Sequence, residues 1–237
     1  MNTALQKRFW TEVSVRPEEA GFGIYLDRKQ LKTPLKASLL APTQAVADGI
    51  AAEWDAVDEK IDPLAMHLTR CANATIDKVV VEHDAVAGLL SEYGGTDLLC
   101  YRADGPVELV RRQSAAWDPM LSWMKDAHGI SLLTTTGVMH VAQPEDGQKR
   151  LQEWTRSFDP WRLTALHDLV TISGSLVLAL AITEKHLSAE QVWPLSRIDE
   201  TWQEEQWGVD EDAAQGAELK RADFLKAAKL LDLLKNG

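Results

Sequence analysis

Apolar positions recur along this chain with two periods, and the change between them divides it. Over the first forty residues, Phe9, Val13 and Val15 alternate with Trp10, Glu12, Ser14 and Arg16, the period of a half-buried strand. After a turn at Glu18 to Gly21, Phe22, Ile24 and Leu26 share one face of a second strand. Asp27 to Gln30 turns the chain into Leu31 and Thr33, and Pro34 and Pro42 punctuate the stretch after it. A small antiparallel sheet is the expected outcome. Thr43 then caps a helix whose stripe of Val46, Ile50, Trp54 and Val57 opposes Asp48 and Asp55.

Ile61-Asp62-Pro63 breaks the chain, and beyond it the period is helical. Leu68, Cys71, Ala72, Ile76, Val79 and Val80 form one stripe, and a short helix from Ala85 to Tyr93 closes on Gly94-Gly95. Leu98 to Tyr101 reads as a strand. Val107 to Met124 keeps helical spacing, with a kink or restart expected at Pro119. Ile130 to Val141 reads as a hairpin around Gly137, and a helix from Lys149 to Phe158 follows. The most apolar stretch, Pro160 to Ile182, reads as one central helix opened by Asp159-Pro160. From Leu176 to Ile182 every face is apolar, so protein must enclose it; the run is far shorter than the ~20 residues of a membrane span. Ser188 and Gln191 make a capping box for a helix kinked at Pro194 and ending at Gly208. A last helix, Glu211 to Lys235, turns Leu219, Phe224, Ala227, Leu230, Leu231 and Leu234 inward. The expected class is α+β: a mixed sheet-and-helix domain over 1–62, then a mainly α-helical domain over 63–237.

Composition narrows the function. Hydrophobic residues make up 45% of 237, enough for a folded core, while a formal net charge of -11 with no basic run argues against a nucleic-acid partner. Cys71 and Cys100 stand far apart without metal-ligand spacing, which favours a reduced, buried pair. Met1 to Phe9 lacks the apolar core and cleavage site of a signal peptide, so a cytoplasmic location is expected.

No metalloprotease, nucleophile-elbow, phosphate-loop or zinc pattern occurs. Ser173-Gly174-Ser175 near His167-Asp168 suggests a nucleophile, but serine in an apolar helix commonly bonds its own backbone. Asp199, Glu200, Glu204 and Glu205 read as a solvated acidic face without a histidine beside it. Trp202 and Trp207 among those carboxylates are unusual, because tryptophan is enriched at protein interfaces. The residues alone point to an acidic, two-part binder rather than a catalyst.

Short segments spread over nearly the whole chain resemble one family. They include Arg8-Phe9-Trp10, Leu31-Lys32-Thr33-Pro34, Ala52-Glu53-Trp54, Leu68-Thr69-Arg70 and Asp97 to Arg102. Gln113 with Trp117-Asp118-Pro119, Leu163 to His167, Gly174 to Ala181, Ser196 to Gln203 and Trp207-Gly208 continue the set in order. The family is the F1-ATP synthase assembly chaperones acting on the alpha subunit, known in mitochondria as F1 assembly factor 2. This chain departs from it at Asp27-Arg28-Lys29, where Asp-Gly-Arg is usual, and at His67, where proline is usual. The resemblance implies a bacterial, cytoplasmic monomer that is not an enzyme and needs no nucleotide or metal cofactor. It would bind unassembled F1-ATPase alpha subunit and shield the surface meant for beta. Part of the contact is expected on Arg197 to Trp207, led by Glu200, with Arg197, Asp199, Trp202, Glu204 and Trp207 beside it. Two other readings stay open: a small hydrolase or transferase whose site gathers His167, Asp168 and a further acid, and an adaptor for a partner other than F1.

Overall fold

The N-terminal hairpin forms, but its first strand starts only at Val13; ahead of it the expected alternation is reversed, with Trp10 buried and Phe9 exposed. Strands β1 (Val13–Glu18) and β2 (Gly21–Leu26) pair antiparallel from Val13 opposite Leu26 to Glu18 opposite Gly21. Short strands β3 (Lys29–Gln30) and β4 (Leu40–Ala41) pair along the other edge of β2. Gly21 has φ +141°, and a Cβ there would lie 2.4 Å from the Ala41 carbonyl oxygen, so only glycine lets β4 approach. At the β2–β3 turn Asp27 takes the left-handed conformation (φ 55°). Its carboxylate accepts bonds from the Thr11 amide, the Thr11 hydroxyl and the Glu12 amide, which hold its pKa below the ordinary value. The computed structural model describes residues 6–235, so the reading of Met1 to Phe9 lies outside the described residues over its first five positions.

Helix α1 (Gln44–Asp55) lays Val46, Ala47 and Ile50 on β1 and β2, its first turn capped by the Thr43 hydroxyl. Helix α2 (His67–Ala74) has no side-chain cap of its own at Met66. Glu53 of α1 provides one, accepting from the amides of Leu68 (2.6 Å) and Thr69 (2.9 Å) and from the Thr69 hydroxyl (2.8 Å). A carboxylate across a helix N-terminus meets both the free amides and the dipole. A π-helical turn, Thr75–Val79, then continues α2. The wider turn shifts the stripe expected there: Thr75 is buried and Val80 is exposed.

Among the described residues the chain forms two compact units. One gathers the residues up to His83 with Pro160–Ala165 and those from Lys229 onward; the other gathers Asp84–Asp159 and Leu166–Ala228.

In the second unit, helix α3 (His83–Glu92) runs into a 3₁₀ turn at Tyr93–Gly95. Leu98–Cys100, expected as strand, is a 3₁₀ turn, and only Tyr101–Arg102 (β5) extends. Helix α4 (Val107–His128) passes through Pro119 without interruption. Pro119 is exposed, so the carbonyl it cannot serve lies on the wet side of the helix. The expected hairpin over 130–141 does not form: β6 (Thr135–Thr136) pairs parallel with the distant β5. Helix α5 (Glu145–Ser157) follows.

The central apolar stretch is two helices, not one. Helix α6 (Pro160–Ser173) ends where Gly174 turns left-handed (φ +72°), and α7 (Leu176–Thr183) begins at Ser175. Every residue from Leu176 to Ile182 is buried, and α7 packs against α4, the Tyr93–Gly95 turn and α8 (Ala189–Leu195). Ser175 Oγ accepts from the Leu178 amide (3.1 Å) and donates to Asp97 Oδ1 (2.7 Å). Asp97 Oδ2 accepts from the Val177 amide (3.0 Å), while Oδ1 also caps Leu98–Cys100 through the Leu99 amide (3.1 Å). One buried carboxylate therefore starts both segments. Helices α9 (Ile198–Trp207) and α10 (Glu211–Leu233) complete the chain; in α10 the buried stripe begins at Phe224, and Leu219, expected inside, is exposed. Both cysteines are buried and neither forms a disulfide, and burial pushes the Cys100 thiol up to about 12.

Burial pushes the Asp97 carboxyl up from 3.8 to about 6, against the downward pull of its hydrogen bonds from Val177, Ser175 and Leu99. The folded chain binds this proton more tightly than the unfolded one, so the group's contribution to stability is fully present below 3.8 and is lost as pH rises through about 6. In urea unfolding of wild type and Asp97→Asn, the difference should move in favour of the variant by roughly 3 kcal/mol between about pH 4 and about pH 7. Movement in the opposite direction would mean that the hydrogen bonds outweigh burial.

Candidate partner-binding surface

Pro194 and the residues after it set up the acidic helix. The expected capping box at Ser188 and Gln191 is present and starts α8. Instead of kinking through Pro194 to Gly208, the helix stops at Leu195. Ser196 closes it, its amide bonding the carbonyls of Val192 and Trp193 and its hydroxyl that of Trp193. The chain restarts at Arg197 as α9 and ends at Gly208 with φ +91°.

Three side chains of α4 hold this region in place. Trp117, fully buried, donates its indole N–H to the Leu195 carbonyl (2.8 Å). Gln113, also buried, accepts from the Ala103 amide (2.8 Å) and donates to Asp199 Oδ1 (2.7 Å). Arg112 makes a two-pronged pair with Glu205 (2.8 and 2.7 Å) and lies over the Trp202 ring at 4.9 Å. That pairing holds the Glu205 carboxyl below its ordinary range.

The remaining groups of α9 turn the other way. Glu200 and Glu204 share one face, where Arg197 reaches both, at 3.0 and 3.6 Å. Arg197 is mostly covered; its carboxylate partners are about half and one third exposed. Trp207 stands at the end of the helix with 79% of its surface exposed. All nine tryptophans are described, and the other eight are buried or half-buried: Trp10 packs on Trp54, Trp193 on Phe224, and Trp123 on His128 and His186.

The six residues singled out from sequence therefore fall into two groups. Glu200, Glu204 and Trp207, with the mostly covered Arg197 pairing the two carboxylates, make the outward group, while Asp199 and Trp202 are bound to α4. Gln113 and Arg112, the side chains that position the helix, carry no signal of that role in sequence; only their long-range partners show it. The competing chemistry near the chain centre is absorbed by structure. Ser173 donates to the Leu169 carbonyl (2.6 Å), Ser175 caps α7, and His167 lies 3.2 Å from Asp168 on the same helix. No helix among the described residues is long and apolar enough to cross a membrane.

Comparison with known proteins gives one consistent result. The family profile described as ATP12 chaperone protein matches residues 7–125. The mitochondrial protein atp12 of Schizosaccharomyces pombe is 24% identical over 220 residues, covering 87% of this chain and 75% of that protein. The crystal structure of Atp12 from Paracoccus denitrificans superposes with a TM-score of 0.92 at 46% identity, covering 96% of this chain and 98% of that one. An aspartate-to-lysine mutant of the same P. denitrificans protein matches equally well over 97% of its chain. Atu1473 of Agrobacterium tumefaciens gives a TM-score of 0.91 at 40% identity over 98% of this chain and 86% of that one. The α+β architecture expected from the sequence is the architecture of these structures.

Adjacent residues at the start of α9 should respond differently to truncation. Asp199→Ala leaves the buried Gln113 amide without its acceptor and is expected to cost about 1–3 kcal/mol in chemical denaturation. Glu200→Ala removes one exposed partner of an arginine that keeps another, and should cost less than about 1 kcal/mol. Equal losses at the two positions would contradict the assignment of one to the fold and the other to the surface.

Proposed function

The chain belongs to the ATP12 chaperone family, which serves ATP synthase assembly, and from that premise we propose that it binds the unassembled alpha subunit of F1-ATPase. On this reading it covers the beta-facing surface of alpha until F1 forms, and it acts as a cytoplasmic monomer without nucleotide or metal. One observation carries the proposal. Eight of nine tryptophans are buried or half-buried, and the ninth, Trp207, projects into solvent from the end of a helix with four carboxylates.

Leaving an indole in water gains nothing for the fold, whereas burying it against a partner removes a large apolar area from water. A newly made subunit exposes the apolar patch that later meets its neighbour, and such patches aggregate unless covered. The cover needs an apolar anchor and a polar rim. Trp207 supplies an anchor; Glu200 and Glu204 supply a rim that orients a basic partner surface and speeds its capture.

The test is binding of purified alpha subunit to the intact protein. Glu200→Lys reverses the rim charge, yet Arg197 keeps Glu204, so the melting temperature should stay within about 4 °C of wild type. Binding should fall by about tenfold or more. Trp207→Ala should weaken binding comparably with no loss of stability. Normal binding by both variants would remove α9 from the contact, and no binding by the wild type would remove the proposal itself.

A further inference from the structure

A groove runs between α4 and α9 beside that surface. It has a volume of about 450 Å³ and is lined by Ala115 and Ala116 of α4, by Pro194, Leu195, Ile198 and Thr201, and by Arg112. It exists because two successive positions of α4 facing α9 are alanines, too short to reach across. Arg112 closes it without presenting free charge, since Glu205 and the Trp202 ring engage its guanidinium. The floor is therefore apolar in character.

The surroundings have the opposite character. From residue 198 to residue 219 the chain has eight carboxylates and no lysine or arginine. On α9 itself, Glu204 follows the groove residue Thr201 by three positions and shares a face with Glu200, where Arg197 pairs with both. A further acceptor comes from α4 itself, because Pro119 has no N–H to offer the carbonyl of Ala115, four residues earlier. An acidic helix beside an apolar floor selects a segment with one or two apolar side chains between lysines or arginines. It excludes an acidic segment by repulsion.

We infer that this groove seats a short amphipathic segment of the partner, apolar side chains inward and basic side chains against the α9 carboxylates. The inference rests on the alpha-subunit reading above and names a second part of the same contact. It makes the groove an anchor pocket and the acidic face its rim, the arrangement in which a few buried groups carry most of an interface's affinity.

Filling the groove tests it. Ala115 is exposed on α4, so Ala115→Phe places bulk into the groove without entering the core. Thr201→Phe fills it from the facing helix, and Ala127→Phe adds the same bulk at an exposed position of α4 outside it. With purified alpha subunit as probe, Ala115→Phe and Thr201→Phe should each bind about tenfold more weakly or worse, and Ala127→Phe like wild type. Wild-type affinity should also fall several-fold between about 50 mM and about 300 mM salt, as screening weakens the basic flank. Unchanged binding by both filled variants overturns the groove, and salt-independent binding overturns its basic occupant. If the wild type does not bind alpha at all, the functional reading fails separately, and a leucine–lysine amphipathic peptide tests the groove alone. Wild type should bind that peptide over its leucine–glutamate counterpart, and Ala115→Phe should lose the preference. Equal binding of the two peptides, or an undiminished preference in Ala115→Phe, would overturn the inference.

Discussion

The second unit depends on a carboxylate that must stay in the dark. Helix α7 is apolar on every side and only eight residues long, well below the length at which a helix is stable by itself. It holds together because protein surrounds it, and enclosure denies water to the first amides of the helix. Asp97 and Ser175 meet those amides from within. The two forces on Asp97 oppose each other: desolvation disfavours its charge, and the hydrogen bonds it accepts favour it. The burial that makes α7 possible is thus what strains its cap.

The same solution recurs at smaller cost elsewhere. Glu53 caps α2 in place of a local residue, Thr43 caps α1 and donates to the Leu233 carbonyl, and Gln113 joins the Ala103 amide to Asp199. Each tie satisfies a backbone or side-chain group that would otherwise be buried without a partner. Most of these residues lie in the short segments that resemble the family: Glu53, Trp54, Thr69, Asp97, Gln113, Trp117, Ser175 and Asp199. Those segments identify the family largely through the polar joints of its fold, and only Arg197, Glu200 and Trp207, at the two ends of α9, bring the outward surface into them.

Local physics was legible in the sequence and remote pairing was not. The hairpin of β1 and β2, the Thr43 cap and the Ser188–Gln191 box need only neighbouring residues, and periodicity or spacing reports them. Gly174 reads equally well as a small residue inside a helix or as its left-handed end; the distant Asp97 decides between these by supplying a second cap. Thr135–Thr136 looks like half of a hairpin until β5 claims it. Pro119 signals a break that does not occur, because the cost of a missing hydrogen bond depends on whether water reaches the carbonyl left behind. Nor does periodicity report that 160–165 and the residues from Lys229 join the N-terminal unit. For α9, spacing separates the Glu200–Glu204 face from the Ile198–Trp202 face, but only the contact to Gln113 tells Asp199 from Glu200.

The way Arg197 is held has a consequence for reversibility. Its guanidinium has Glu200 at 3.0 Å and Glu204 at 3.6 Å, one nearer and one in reserve. When a carboxylate leaves to meet an incoming cation, the arginine is not left bare, and when the cation departs the carboxylate has a place to return to. Exchange between such alternatives runs almost level in free energy, because each state keeps nearly the same number of charge pairs. A helix wired this way lends its charge rather than giving it up. If α9 is the contact proposed above, this wiring favours quick hand-over against tight retention.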